Sequence, residues 1–273
     1  MSSEIFTEDE FYGLPDLIAV SRRAGTLWRL LRDDPRFAYY GRTVATSYPG
    51  PDTADILESL ARLLGAGACY FYPCDDVSIL FDDLKARGLE TDRHEHFMGG
   101  EAMHRECSRM VREQRLPSDL TLVRLDAASP QSLVRDTAAL SQSCDVTPVR
   151  GNIMRGQDIR GICLSAVDGG GRPVATASSY MLHHPESSHA TDAFWGMLAT
   201  AEDRRGEGIA ALLGAHALVH MWETHGARGF MTGIRADNDP SQRLCRRMGM
   251  DETEWAYAVC LDPTLMAGGR LTK

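Results

Sequence analysis

Short apolar runs alternate with longer, helix-spaced patterns along the C-terminal half of the chain. The short runs are rich in branched and aromatic side chains, which pack well on a pleated sheet, so they predict strands. The longer segments contain good helix formers without internal proline, so they predict helices. From residue 120 onward the pattern predicts strands over 121–125, 162–167, 174–181, 194–200, 229–235 and 254–261, a helix within 126–144, and helices over 209–223 and 241–248.

The pattern before residue 119 predicts mainly helices and a small sheet. The predicted elements are helices over 8–23, 25–32 and 53–64, a strand over 68–72, a helix over 75–87 and a strand over 93–98. We therefore expect two domains. The first is a helical domain with a small sheet over residues 1–118, and the second is a mixed α+β domain over residues 119–273.

Composition narrows the class of protein. The 273 residues carry a formal net charge of −9 and a sequence pI of about 5.5, so the basic character of a nucleic-acid-binding protein is missing. No apolar run approaches the roughly 18 residues of a membrane span, and the acidic N-terminus lacks the apolar segment of a secretory signal. Seven cysteines without a Cys-x-x-Cys pair favour a reducing compartment. We expect a cytoplasmic protein that binds neither nucleic acid nor membrane.

The stretch 194–213 combines a predicted strand, a glycine turn and a helix. Residues 194–200 are apolar enough for a buried strand, and the turn Arg204-Arg205-Gly206-Glu207-Gly208 leads into a helix that starts at Ile209. Glycine at positions 206 and 208 permits positive φ and the close approach of a ligand. The unpaired amides and the positive dipole end of the helix favour an anion. The stretch therefore predicts a phosphate or pyrophosphate site.

The spacing within this loop distinguishes between phosphate-binding families. The P-loop requires a Gly-Lys-Ser/Thr ending, which is absent, and the dinucleotide fingerprint requires a third glycine where Ala211 stands. The sequence Arg205-x-x-Gly208-x-Ala210 instead resembles the acyl-CoA pyrophosphate loop of the GNAT family of N-acetyltransferases.

Two further features carry the same resemblance. The segment Asn238-x-x-Ser241-x-x-Leu244-x-x-x-x-Gly249 is similar to the second motif of the GNAT family. The predicted order of strands and helices between residues 120 and 262 is also that of the family. The resemblance implies a GNAT fold over about half of the chain, with a helical N-terminal extension.

A faint internal repeat bears on that extension. The segment from Gly67 to Gly88 parallels the segment from Gly226 to Gly249, since each has a predicted strand, then a helix, then glycine. The N-terminal part is therefore either a degenerate half of the same fold or an ordinary strand and helix. Because no glycine loop precedes residue 67, we expect no second CoA site there.

The resemblance implies acetyl-CoA as the co-substrate, bound in a defined way. In this fold the strand before the glycine loop diverges from its neighbour, helped by a bulge, and its free edge binds the pantetheine arm. Amides of the loop bind the pyrophosphate, and Arg205, with Arg204 as a second candidate, adds charge. Asn238 is a candidate for a hydrogen bond to the cofactor, and the sequence Asn-Asp-Pro at this position is also typical of a turn. The implied CoA-binding residues are Leu198, Ala199, Thr200, Arg205, Gly206, Glu207, Gly208, Ile209, Ala210, Ala211, Asn238 and Ser241.

Acetyl transfer also needs an oxyanion donor and an acid. A backbone amide near Ala199 or Thr200 is the candidate donor. The family often places tyrosine directly after the Leu or Phe of the second motif, where this chain has Cys245. The Cys245 thiol is a candidate acid or nucleophile, or a small buried side chain. Tyr257, on the last predicted strand, and a water molecule are the alternatives.

The base is not evident, because no carboxylate stands on the strand segment 195–197 where many relatives carry one. The alternatives are a water chain, an acidic residue after the strand, and three histidines on the preceding loop. These side chains are Glu202, His183, His184 and His189. His216 and His220 lie four apart on one helix without a third ligand, so we expect no metal site.

These observations predict an acetyl-CoA-dependent N-acetyltransferase that acts by direct transfer to a primary amine. One alternative is a catalytically silent acyl-CoA-binding regulatory module, suggested by Cys245 and the missing carboxylate. Another is transfer of a longer acyl chain, with Trp195 and Met197 as its lining. The acceptor is a small molecule or a peptide, and its identity stays open, as does the formation of a homodimer.

Overall fold

The computed structural model describes residues 10–266, which form one mixed ten-stranded sheet with helices on both faces. The strands are β1 (Phe37–Ala38), β2 (Ala45–Thr46), β3 (Ala66–Pro73), β4 (Glu90–Gly99), β5 (Leu120–Arg124), β6 (Gly161–Asp168), β7 (Pro173–Met181), β8 (Asp192–Thr200), β9 (Gly229–Ile234) and β10 (Asp251–Leu261). The helices are α1 (Pro15–Leu31), α2 (Thr53–Leu64), α3 (Val77–Ala86), α4 (Glu101–Glu113), α5 (Gln131–Ser143), α6 (Gly151–Met154), α7 (Ile209–His225) and α8 (Asp239–Arg247). None of these helices combines the length and apolar character needed to cross a bilayer.

Strands from the two halves of the chain interleave at the centre of the sheet. The order is β1-β2-β3-β10-β4-β9-β8-β7-β6-β5, so β4 lies between β10 and β9. In this register His94 is opposite Tyr257 and His96 is opposite Gly233. The sheet thus crosses the predicted boundary between residues 118 and 119. The division into two domains stays a prediction, and both segments build the same sheet.

The centre of the sheet has internal symmetry. The units β3-α3-β4 and β9-α8-β10 are both strand–helix–strand, and each follows a helix, α2 or α7. The first strand of each unit pairs in parallel with the strand before that helix, β2 with β3 and β8 with β9. The order of these four strands in the sheet is β3-β10-β4-β9. If β3 is exchanged with β9, and β4 with β10, the result is the same order read in the opposite direction. This symmetry of the sheet coincides with the internal repeat of the sequence.

Several N-terminal elements differ from the sequence-based prediction. One helix, α1, replaces the two predicted over 8–23 and 25–32, and the predicted start at residue 8 lies outside the described residues. Gly25 lies inside α1, where a single glycine weakens a helix without ending it. Strands β1 and β2 lie in a segment predicted as mostly helical. They are two residues long and depend on pairing with β3, so they leave no periodic pattern.

Helix α4 was also not predicted, although its sequence carries the signal. Met103, Cys107 and Met110 are buried and recur at helical spacing. Alternation along β8 sends Phe194 into the cluster under α1, α5 and α6, and Trp195 into the cluster under α4 and α7. A third cluster lies between the sheet and the helices α2 and α3. The two faces of the sheet therefore have separate cores.

Histidines lie in the core on the Phe194 face. His96 is fully buried, with Nδ1 2.9 Å from Thr253 Oγ1 and Nε2 without a partner among residues 10–266. His183 Nδ1 is 2.8 Å from Ser47 Oγ. Burial, together with the nearby charge of His189, lowers the pKa of His96 and of His183 to about 3.

This burial predicts acid sensitivity. An unfolded histidine has a pKa of about 6.5, so below that pH the unfolded chain takes up protons that folded His96 does not. The contribution of a neutral His96 to stability is therefore complete above about pH 6.5 and is lost as the pH falls toward 3. At about pH 5 the loss should be about 2 kcal/mol for this one group. Urea unfolding of the wild type and of His96→Gln, each at about pH 8 and about pH 5, measures this loss. Between the two pH values the free energy of unfolding of the variant should fall by about 2 kcal/mol less than that of the wild type. Equal losses of unfolding free energy in the two proteins would contradict the prediction that buried His96 stays neutral.

Candidate active site

Strands β8 and β9 begin as a parallel pair and then diverge. They are paired only between Asp192–Phe194 and Gly229–Met231. A bulge in β8 separates them, because its register with β7 shifts between Thr176 and Ser178, and Met197 adopts a positive φ of 53°. A non-glycine residue in this region is uncommon, and a bulge bends its strand. The predicted bulge and divergence are confirmed.

The gap between the two strands opens into a cleft of about 790 Å³. Residues 195–200 of β8 and 232–234 of β9 form its walls. Of the residues predicted to bind CoA, seven line the cleft: Leu198, Ala199, Thr200, Arg205, Ala210, Asn238 and Ser241. Gly206, Glu207 and Gly208 are exposed on the turn between Arg205 and Ala210. Ile209 and Ala211 instead point into the core beneath α7.

The glycine turn has the geometry of an anion site. Gly206 and Gly208 have φ of 85° and 75°, which glycine adopts without strain. Nothing lies within 4 Å of a Cβ built at either position, so the surface above the turn is open. Gly208 is the N-cap of α7, and no side chain caps the helix, so its first amides face outward. A pyrophosphate fits this combination of turn, amides and helix dipole.

The two arginines of the turn have different surroundings. Arg204 forms ion pairs with Asp119 at 2.8 Å and with Glu207 at 2.7 Å, so its charge is used within the protein. Arg205 is exposed and lines the cleft. The guanidinium of Arg204 also holds the pKa of Glu207 below its ordinary value. The turn therefore offers Arg205 to an anion, and the negative charge of Glu207 is compensated.

Two side chains fix the position of β8 and α8. The indole Nε1 of Trp195 donates to the carbonyl of Gly214 at 2.8 Å, which ties β8 to α7. A Cβ at position 214 would lie 2.6 Å from the Trp195 ring, so glycine is needed there. Asn238 Oδ1 accepts from the Ser241 amide at 3.3 Å and caps α8. Asn238 thus has a capping role and also lines the cleft.

Cys245 and Tyr257, the predicted catalytic residues, both line the cleft. Cys245 is 3% exposed, and burial raises the pKa of its thiol to about 12. A thiol that stays protonated is a poor nucleophile, because the thiolate is the reactive form. This surrounding favours the interpretation of Cys245 as a small buried side chain.

Tyr257 has a different surrounding. Its ring packs on Gly233, where a Cβ would lie 2.6 Å from it. Its hydroxyl has no hydrogen-bond partner among residues 10–266. Burial, with the nearby Tyr70 and Tyr40, raises the pKa of Tyr257 well above its ordinary value. Tyr257 therefore lines the cleft as a protonated residue whose hydroxyl is buried.

A histidine that sequence reasoning passed over also lines the cleft. His94 lies on β4 directly opposite Tyr257, and side chains of such cross-strand partners are neighbours. Its Nε2 is 3.2 Å from Asp92 Oδ2, and Asp92 accepts from Arg235 at 2.8 and 2.9 Å. Burial alone would raise the pKa of Asp92, but the hydrogen bonds from His94 and Arg235 outweigh it and keep the pKa low. The sequence pattern His94-x-His96 was the available signal for this residue. Only the insertion of β4 between β10 and β9 brings His94 to the cleft.

The base candidates from the sequence lie elsewhere. His183 is buried against Ser47, and His189 stacks on Phe71 and contacts Asp192 at 2.9 Å. Glu202 lies on an exposed turn that lines a separate, shallower depression. None of these, nor His184, is among the residues that line the cleft within the described range.

The N-terminal half closes the cleft where β8 and β9 begin to diverge. Tyr40 stacks on Phe194 with ring centroids 4.2 Å apart, and Tyr70 lies 4.9 Å from the ring of Tyr257. Arg42 lines the same region. From there the cleft continues along residues 195–200 to the glycine turn.

A sheet that opens at a bulge beside an anion-binding turn is the arrangement that the family resemblance implies for an acyl-CoA-dependent N-acyltransferase. Residues 134–250 match the model of the acetyltransferase (GNAT) family, so this part of the chain is a GNAT-family domain. GNAT-fold proteins use acetyl-CoA.

Solved structures share the fold at low sequence identity. A GCN5-related N-acetyltransferase from Kribbella flavida has a TM-score of 0.55 and 15% identity, over 89% of this chain and 95% of that chain. A tandem GNAT protein from the clavulanic acid biosynthesis pathway has a TM-score of 0.54 and 14% identity, over 76% of this chain and 67% of that chain. A Drosophila protein has a TM-score of 0.54 and 15% identity, over 91% of this chain and 89% of that chain. No curated protein matches the sequence significantly.

The glycine turn is tested by an isosteric pair of substitutions. Asn and Asp both tolerate the left-handed conformation of Gly208, but only Asp brings negative charge to the proposed pyrophosphate site. We expect Gly208→Asp to weaken acetyl-CoA binding about 10-fold or more relative to Gly208→Asn, measured by calorimetric titration. Equal affinities in the two variants would show that the turn does not contact the pyrophosphate.

The burial of Cys245 predicts that its thiol is dispensable. Loss of a general acid lowers kcat about 100-fold or more, so Cys245→Ala should fall far short of that. Steady-state kinetics with acetyl-CoA measures the effect. A loss of that size in a variant that still binds acetyl-CoA would instead make Cys245 the acid.

Proposed function

We propose that the protein is an acetyl-CoA-dependent N-acetyltransferase that transfers the acetyl group directly to the primary amine of a small acceptor. The observation that carries the proposal is the pairing of His94 with Tyr257 across neighbouring strands, both at the cleft between β8 and β9. A base and a proton donor are the two side-chain functions that amide formation from a thioester requires.

The CoA-binding residues proposed from the family resemblance follow the course of this cleft. The backbone of Leu198, Ala199 and Thr200 forms the unpaired edge that would bind the pantetheine amides. The turn over 205–208 and the first amides of α7 would hold the pyrophosphate, with Arg205 adding charge. Asn238 and Ser241 would border the cofactor at the start of α8.

The proposed reaction balances through these residues. His94 takes a proton from the acceptor ammonium, and the amine nitrogen attacks the thioester carbonyl. A backbone amide of the open edge, near Ala199 or Thr200, stabilises the oxyanion. The carbon–sulfur bond then breaks, Tyr257 donates its proton to the CoA thiolate, and the second amine proton leaves to solvent. Solvent restores the proton of Tyr257 and takes up that of His94.

The geometry bears on both alternative functions. Trp195 and Met197, the suggested lining for a longer acyl chain, both lie along the cleft, so the geometry is compatible with that alternative as well as with acetyl transfer. A silent CoA-binding module was suggested by the missing base, and His94 is a candidate for that base.

The proposal extends to the N-terminal half of the chain, its cellular location and its partners. We propose that residues 1–118 are a degenerate GNAT-like half that completes the sheet of residues 119–273, as the internal symmetry of the sheet suggests. All seven cysteines are free, which supports a cytoplasmic location. Acetylation of a small amine requires neither nucleic acid nor membrane, and a homodimer stays a prediction.

Substitutions on β4 and β10 test the mechanism. We expect His94→Gln and Tyr257→Phe each to lower kcat about 100-fold or more, because each removes a proton-transfer group. The affinity for acetyl-CoA should stay within about threefold of wild type, since neither side chain is proposed to bind the cofactor. Steady-state kinetics with an accepted amine, together with calorimetric titration of acetyl-CoA, separates the two effects.

His216→Gln is the matched control, because His216 lies on α7 and is not among the residues that line the cleft. Its kcat should equal that of the wild type. Wild-type turnover in His94→Gln would remove the proposed base. Binding of acetyl-CoA without acetylation of any amine would favour the silent module.

A further inference from the structure

Arg42 brings a guanidinium to the cleft from the N-terminal half of the chain. The residue lies between β1 and β2, is only 9% exposed, and lines the cleft. Its Nε donates to the carbonyl of Thr147 at 2.9 Å, its Nη2 donates to the same oxygen, and its Nη1 lies 3.4 Å from the hydroxyl of Tyr40. Both acceptors are uncharged, so these hydrogen bonds hold the guanidinium in position without neutralising it.

The guanidinium retains donors after these bonds are made. It has five N–H groups, and the observed bonds use one on Nε, one on Nη2 and one on Nη1. One N–H therefore remains on each terminal nitrogen. Two such N–H groups of one planar guanidinium match the two oxygens of a carboxylate.

The other two arginines of the cleft lie in different surroundings. Arg205 stands on the glycine turn, and Arg235 is paired with Asp92 at 2.8 Å and with Asp237 at 3.4 Å. Asp145 also lines the cleft and has interactions of its own. Arg42 is thus the cation in the aromatic part of the cleft, away from the proposed pyrophosphate site.

An aromatic wall connects Arg42 with the proposed reaction centre. The ring of Tyr40 lies 5.7 Å from the guanidinium of Arg42, and the ring of Tyr70 is 6.4 Å from that of Tyr40. Tyr70 in turn contacts Tyr257, the proposed proton donor, at 4.9 Å between ring centroids. A molecule along this wall would meet a cation at one end and the acetyl transfer site at the other.

We propose that Arg42 binds a carboxylate of the acceptor, so that the acceptor is a small molecule with both a primary amine and a carboxylate. This inference rests on the proposed N-acetyltransferase function and adds the substrate class. Arg42 is then a specificity-determining residue that the N-terminal half contributes to the site. Its hydrogen bonds to Thr147 and Tyr40 orient it before the acceptor binds.

Matched pairs of acceptors test the proposal in the wild-type protein. The pairs are glycine and glycinamide, β-alanine and β-alaninamide, and 4-aminobutyrate and 4-aminobutanamide, since the amine-to-carboxylate distance is to be found by experiment. We expect at least one carboxylate to exceed its amide about 10-fold or more in kcat/KM. Phosphoethanolamine is a further acceptor, in which a phosphate group replaces the carboxylate, and it tests whether Arg42 prefers phosphate.

Arg42→Gln keeps a hydrogen-bond donor toward Thr147 but removes the charge. We expect the variant to raise KM for the preferred carboxylate about 10-fold or more, and to lower kcat/KM for that carboxylate more than for the paired amide. Arg42→Lys should recover part of the preference, because it restores the charge without the fork. A merely structural role for Arg42 would affect both members of a pair equally.

Three results would overturn the inference. Equal use of carboxylates and amides by the wild type refutes it and leaves the N-acetyltransferase function intact, and this comparison needs no variant. A preference for phosphoethanolamine over every carboxylate assigns Arg42 to phosphate instead. If acetyl-CoA binds and no amine of the panel is acetylated, the inference and the proposed function both fail.

Discussion

The bulge in β8 is the constraint on which the site depends. A parallel pair of strands normally continues until one of them ends. Here β8 and β9 pair over three residues each, and the bulge with Met197 in a left-handed conformation then turns β8 away from β9. The separation leaves a strand edge without its partner inside the sheet, which is costly unless a ligand or solvent satisfies it. The cleft, the open edge proposed to bind pantetheine and the direction of the glycine turn all follow from that divergence. The Trp195 hydrogen bond to α7 holds the bulged strand in this position.

The second organising feature is the insertion of β4 between β9 and β10. It closes the sheet on the side of the cleft opposite β8 and carries His94 to the position across from Tyr257. Arg42 and the tyrosines of the aromatic wall also come from the N-terminal half. The family match covers residues 134–250 and includes none of these residues. The GNAT domain therefore supplies the proposed cofactor side of the cleft, and the N-terminal half supplies much of the proposed acceptor side.

The glycine turn and the helix after it were predictable from the sequence because their signals are local. Gly206, Gly208 and the following helix are adjacent in the chain, so their spacing alone indicates an anion-binding turn. The acceptor side was not predictable in this way. His94 and Arg42 gain their proposed roles only through strand order and through contacts across more than half of the chain, which periodicity does not encode. Cys245 shows the converse, because its position in a motif suggested chemistry and its burial argues for packing.

The central claim is that the edge of β8 beyond its bulge, together with the glycine turn, is the acetyl-CoA site. Hydrogen exchange of the full-length protein, followed by mass spectrometry with and without acetyl-CoA, measures this directly at the amides concerned. The account predicts slower exchange in peptides that cover residues 197–200 and 206–211 when acetyl-CoA is bound. Binding of acetyl-CoA that leaves both segments unchanged, or that protects a different surface, would contradict it.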